Sequence, residues 1–156
     1  MAGPTPEEVF TRHHRDIYRY LIRMTGRPDV ADDLSQDVFL RVVRALRNGG
    51  PIGHERGWVF SIARNVLADR GRAQRRQPPD AGAAEPAADA TQALAFGLAE
   101  ALAGLAEGDR DVFLLKEVGG LTYEEISAVC ACTVESVRSR LFRTRLSLRK
   151  TLGDGR

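Results

Sequence analysis

An all-α chain made of two small helical units is predicted by three observations. Apolar residues recur at three- and four-residue spacing through the long segments, no stretch alternates as a strand would, and an acidic Ala/Pro-rich stretch divides the chain. The length, 156 residues, suits one ordinary domain or two very small ones. A unit of roughly 70 residues buries only a modest core, which favours compact helical packing. Apolar residues at 43% and charged residues at 28% are in the proportion of a folded globular protein.

The elements follow in order. Thr5-Pro6-Glu7-Glu8 joins an N-cap hydroxyl to a proline at the first helical position and a glutamate three residues after the cap, so a first helix starts there. Phe10, His13, Ile17, Leu21 and Met24 form its apolar stripe, which Gly26 and Pro28 bring to an end. His13 and His14 are read as packing or surface residues, because no cysteine or further histidine stands at metal-ligand spacing. A second helix is predicted from Asp29 to Arg47, with Leu34, Val38, Val42 and Leu46 inward and Asn48-Gly49-Gly50-Pro51 as its stop. After the loop from Asn48 to Glu55, a third helix from Arg56 to Ala73 turns Trp58, Val59, Ile62, Val66 and Leu67 inward. Arg64, Arg70, Arg72, Arg75 and Arg76 crowd its second half and the residues just beyond it.

From Pro78 to Thr91 there is no large apolar side chain, so burial cannot offset the entropy of ordering, and a flexible acidic linker is expected. The expected organisation is therefore a first domain over 1–77, a linker over 78–91 and a second domain over 92–156. In the second, Leu94, Leu98, Leu102 and Leu105 mark a helix, and Asp109 to Val118 form another closed by Gly119-Gly120. Thr122-Tyr123-Glu124-Glu125 is a second capping box, opening a short helix through Ile126 and Val129, and Thr133 caps a last helix that reaches Leu152.

The short turn Ala131 to Thr133 between those last two helices has helix-turn-helix spacing. The helix after it carries Arg138, Arg140, Arg143, Arg145, Arg149 and Lys150 with no acid among residues 136–150, cations suited to phosphates and guanine edges in duplex DNA. Other features admit two readings. The arginines late in the third helix are either solvated surface or a nucleic-acid face. Trp58 is either core or a stacking platform for unpaired bases. Asp33, Gln36 and Asp37, with Asp32 beside them, are either charges that complement the helix dipole or a docking stripe for a basic protein. Cys130 and Cys132 are too few for a disulfide framework and are read as small half-buried side chains, with thiol oxidation of the turn as the rarer possibility. No paired acid and base, phosphate-cradling loop, metal cluster or nucleophile motif stands out, so neither enzymatic activity nor a cofactor or metal is expected. The absence of a signal-peptide pattern and of a spanning apolar run predicts a cytoplasmic protein with no membrane contact of its own.

Three segments together resemble sigma-70 family factors of the extracytoplasmic-function group: Asp32-Asp33-Leu34-Ser35-Gln36-Asp37-Val38-Phe39-Leu40, then Trp58-Val59-Phe60-Ser61-Ile62-Ala63-Arg64-Asn65, then Leu121 to Ile126 with Val134 to Leu141. The resemblance spans nearly the whole chain outside the linker. It implies that Asp32, Asp33, Gln36 and Asp37 dock on the clamp helices of core RNA polymerase, and that the loop before the third helix captures a flipped base of the promoter's minus-ten element. Trp58, Arg64, Asn65, Arg70, Arg72, Arg75 and Arg76 would hold the melted strand. Thr133, Ser136, Arg138, Ser139, Arg140 and Arg143 would read the minus-thirty-five element as duplex, and this second domain would also touch the polymerase flap. Such factors are commonly held inactive by an anti-sigma protein that clamps their two domains together. Two departures from the family pattern are visible: Cys130-Ala131-Cys132 replaces an apolar–glycine–apolar turn, and Ala106 replaces a proline. The alternative is a helix-turn-helix regulator that binds duplex DNA without serving as the polymerase's specificity subunit. An interaction module that sequesters another regulator is the third class.

Overall fold

The computed structural model describes residues 3–50, 54–75 and 90–153. Among these are seven helices and no strand: α1 (Pro6–Thr25), α2 (Pro28–Arg47), α3 (Glu55–Arg75), α4 (Ala90–Ala103), α5 (Glu107–Glu117), α6 (Tyr123–Cys130) and α7 (Val134–Gly153). The expected linker lies almost wholly outside the described residues, and α4 begins at Ala90, two residues before the expected start.

Both predicted capping boxes form. Thr5 Oγ1 accepts from the Glu8 amide at 3.1 Å, and Thr122 Oγ1 accepts from the Glu125 amide at the same distance. In each box the glutamate reaches back to the cap amide, satisfying a second helix-end donor. Gly26 closes α1 in the left-handed region at φ 72°. Pro28, which ends the apolar stripe of α1, also serves as the first residue of α2, where its fixed φ suits the helix and its missing N–H costs nothing. The turn between α1 and α2 therefore shrinks to Gly26 and Arg27.

The first three helices pack on one another, burying Val9, Ile17, Leu21, Leu34, Val38, Val42, Val59, Ala63 and Val66. The last four enclose a second set that includes Leu102, Val112, Leu115, Ile126, Val137 and Leu141. His13 is buried at the base of α1, its Nε2 2.6 Å from Glu55 Oε2 at the start of α3. The two groups of helices also lie against each other: α1 packs on α5, and α3 on α6.

The turn between α6 and α7 is built around Ala131, which takes a left-handed conformation, φ 53° and ψ 48°. Its N–H and that of Cys132 both reach the Ser127 carbonyl, while the Ser127 hydroxyl donates to the Cys132 carbonyl. A glycine would hold this conformation without a Cβ clash, which is the physical content of the glycine-bearing turn from which the sequence departs. Cys130 is half-buried at the end of α6. Burial, reinforced by the charge of nearby Asp111, pushes its thiol pKa up to about 11.

Two outcomes are expected at this turn. Relief of left-handed strain worth roughly 1–2 kcal/mol, less roughly 0.5–1 kcal/mol of added backbone entropy, should make Ala131→Gly more stable by about 0.5–1 kcal/mol in urea unfolding. In a Cys132→Ser background at pH 8, Cys130 should react with iodoacetamide at least about tenfold more slowly than free cysteine, because its thiolate fraction is so small.

Candidate functional site

Three charged surfaces result from this packing. The first is the outward face of α7. Val137, Leu141, Thr144 and Leu148 occupy its inner face, so Arg138, Ser139, Arg143, Arg145, Arg149 and Lys150 are exposed, with Ser136 and Arg140 half-buried on the flank. Thr133 starts the helix, and its Oγ1 accepts from the Ser136 amide at 3.0 Å, so its hydroxyl acts as the N-cap. Two arginines of this face are held by carboxylates. Arg143 grips both oxygens of Asp109 at 3.1 and 2.8 Å, and Arg145 reaches Glu117 at 3.2 Å. Hydrogen bonding to those acids raises both guanidinium pKa values. Arg138 lies 5.8 Å from the centre of the Tyr123 ring, a cation–π contact.

Phe142 and Leu146 lie among these cations, 69% and 51% exposed. Glu135, Arg138, Ser139 and Arg143 complete the open groove that they line. The sequence analysis missed this apolar strip. Its signal was present: Phe142 and Leu146 fall off the spacing of Val137, Leu141, Thr144 and Leu148 that marks the inner face of α7.

The second surface is on α2, where Asp32, Asp33, Gln36 and Asp37 are all exposed, while Val30, Ala31, Leu34 and Val38 point inward. None of these four is held by an ion pair among the described residues. Leu40 follows them one turn on, 56% exposed.

The third surface is on α3. Asn65, Arg72 and Arg75 are exposed and Arg70 is half-buried, while Arg76 lies outside the described residues. Arg72 pairs with Asp69, which Arg41 also binds at 2.7 Å. The Arg41 hydrogen bond is the main cause holding the Asp69 carboxyl below its usual range. Trp58 is half-buried against the core.

Arg64 is set apart from these groups. Its Nε donates to Asp111 Oδ2 and a terminal nitrogen donates to the Val129 carbonyl, both at 2.7 Å, so it faces the second group of helices. Asp111 also accepts from the buried Tyr20 hydroxyl at 2.6 Å. Burial, then the adjacent carboxylate, raises the Tyr20 phenol well above its ordinary value. Burial opposes the charge of Arg64, but Asp111 outweighs that and raises its pKa. Nothing in local sequence patterning pointed to this cluster, since residues 20, 64 and 111 come from three separate helices.

The chain matches the Sigma-70 region 2 family over residues 9–77 and the Sigma-70 region 4 family over residues 96–148. It is 34% identical to the ECF RNA polymerase sigma factor SigC of Mycobacterium tuberculosis, over 94% of this chain and 82% of that protein. It is 33% identical to the ECF RNA polymerase sigma factor SigE of Mycolicibacterium smegmatis, covering 97% of this chain but spanning 63% of that relative's length. Among solved structures, the sigma factor RpoE of Bartonella quintana, determined in complex with the anti-sigma factor NepR, superposes with a TM-score of 0.79. That match covers 96% of this chain and 98% of the other at 24% identity.

The capping role of Thr133 is separable from any contact with DNA. Thr133→Ala should lower unfolding free energy by about 1 kcal/mol with no DNA present, whereas Thr133→Ser should stay within a few tenths of the native value in the same urea titration.

Proposed function

This chain belongs to the sigma-70 family of RNA polymerase sigma factors, in its extracytoplasmic-function group, and we propose that it recruits core polymerase to promoters and opens them by capturing one DNA strand. The observation that carries this reading is the separation of two exposed surfaces of opposite charge. Asp32, Asp33, Gln36 and Asp37 present acid on α2, while Arg138, Arg143 and their neighbours present cation on α7. A regulator that only binds duplex DNA needs the second surface and has no use for the first, because a carboxylate stripe repels phosphate.

In this reading the region 2 segment is one functional domain and the region 4 segment the other. The α2 stripe docks on a basic surface of core polymerase. Trp58, Asn65, Arg70, Arg72, Arg75 and Arg76 hold the minus-ten strand, joined by Arg64 once it is released from Asp111. Binding energy for the unpaired bases offsets the cost of melting. Thr133, Ser136, Arg138, Ser139, Arg140 and Arg143 meet the minus-thirty-five element in the major groove. The chain supplies recognition and the polymerase supplies the chemistry. It acts in the cytoplasm. Among the described residues, no helix is long and apolar enough to cross a membrane. The complex of RpoE with NepR supports an anti-sigma factor as a further partner.

Run-off transcription with core polymerase and a library of promoter fragments tests the docking stripe. Start sites that depend on the native chain should fall at least about tenfold with Asp33→Arg plus Asp37→Arg, since like charges opposed across an interface cost several kcal/mol. DNA binding without core-dependent initiation, unaffected by the reversal, would favour the simple regulator. On duplex promoter DNA, Arg138→Ala should flatten the dependence of log affinity on log salt by about one unit if it contacts phosphate.

A further inference from the structure

The buried stripe of α1 contains an imidazole. His13 lies between Val9 and Ile17 on the inward face of that helix and is only 4% exposed. Its Nε2 stands 2.6 Å from Glu55 Oε2, and its Nδ1 is buried with no partner among the described residues. A carboxylate can only accept, so Nε2 carries the hydrogen and donates it. Arg12 also approaches Glu55, at 3.4 Å, but its side chain is half exposed and a pair of that kind contributes little. The short buried bond is therefore the one that fixes Glu55. An imidazole in an apolar stripe is costly unless its polar atoms are used, and Glu55 is the only use that His13 has among the described residues. Glu55 is the first residue of α3, and Trp58 follows it three residues on, along the same side of the helix. The Trp58 amide donates to the His54 carbonyl at 3.0 Å, closing the first turn of α3 around Glu55.

We propose that His13 is a positioning residue for promoter opening: through Glu55 it anchors the first turn of α3 and so places the Trp58 ring to receive an unpaired base. The inference rests on the assignment of Trp58 to the minus-ten strand. A helix start frays unless something ties it down, since its first amides lack partners within the helix. Here the tie runs from Glu55 to a residue of α1 that stands 42 positions earlier, so it is tertiary rather than local. A negative charge at Glu55 would suit the helix dipole with no partner at all. The dipole does not account for a buried imidazole aimed at that charge. Trp58 is half-buried against the core, which holds the residue from one side and leaves part of it accessible to a base. A small shift of this turn would misplace the ring without unfolding the helix, and small misplacements of a recognition group are costly.

The full-length chain with core polymerase is assayed by run-off transcription on a promoter fragment that depends on it. The fragment is used once as duplex and once with the bases just upstream of the start site mismatched, so that it is already open. His13→Leu removes the donor while keeping the stripe apolar, so its urea midpoint should not fall. Initiation from the duplex should nevertheless drop at least about fivefold, the lower end of what stacking one base on an aromatic ring contributes. The pre-opened template should recover most of that loss. His13→Gln, whose amide can still donate to Glu55, should initiate near the native rate. Trp58 is the chain's one tryptophan, so its fluorescence reports on the site directly. Acrylamide should quench it more strongly in His13→Leu than in the native chain or in His13→Gln. Unchanged duplex initiation in His13→Leu, beside a loss in Trp58→Ala, would overturn the proposal. So would an equal loss on both templates with a lower urea midpoint, which would make His13 a stability residue only. If Trp58→Ala opened duplex promoters normally, the stacking assignment would fall, and the acrylamide comparison would still decide whether His13 places the ring. Glu55→Ala breaks the same bond from its more exposed side and retains the test if His13→Leu does not fold.

Discussion

A single buried carboxylate, that of Asp111, is shared between the two groups of helices. Within each group of helices, apolar side chains at helical spacing supply the buried set. Between the groups, the Asp111 carboxylate lies in a place with little water, where the Tyr20 hydroxyl and the Arg64 guanidinium both donate to it. Dispersion and burial give the contact its strength. The hydrogen bonds of Asp111 give it direction, and Gly119, where a Cβ would lie 2.6 Å from the Leu115 carbonyl oxygen and 3.2 Å from Phe60 Cζ, leaves the space beside Phe60 open.

The same economy governs the outward surfaces. A long arginine side chain loses entropy when it is fixed in one pose. Asp109 and Glu117 hold Arg143 and Arg145 by hydrogen bonds, so part of that cost is already met within the fold. The pairs are largely exposed and add little to the stability of the fold. Their contribution is to geometry. On α2 the carboxylates of Asp32, Asp33 and Asp37 have no such partners among the described residues.

Much of the fold could be read from the sequence, for local reasons. Capping boxes at Thr5 and Thr122, the Gly26 stop and the apolar stripes are decided within one helix turn, and both boxes and the stop form where expected. The start of α2 moved to Pro28 because one proline can end one stripe and begin the next helix. The charged faces of α2 and α7 were also legible, being runs of like charge on one side of a helix. The engagement of Arg64 was not, because it depends on a tyrosine and an aspartate from distant segments whose own neighbourhoods give no sign of pairing. The exposure of Phe142 did have a local signal, because that residue lies off the Val137, Leu141, Thr144 and Leu148 spacing of the buried face.

The order of Tyr20, Arg64 and Asp111 along the chain has a consequence for synthesis. Tyr20 and Arg64 belong to helices that are complete well before Asp111 has been added, 47 residues after Arg64. At bacterial-scale elongation of about 5–20 residues per second, the interval is roughly 2 to 9 seconds. During it the nascent first helices have a phenol and a guanidinium with no carboxylate to receive them. The ribosome-bound fragment is thus a distinct chemical species, more cationic at this face than the finished protein, and it ceases to exist only when α5 emerges and docks.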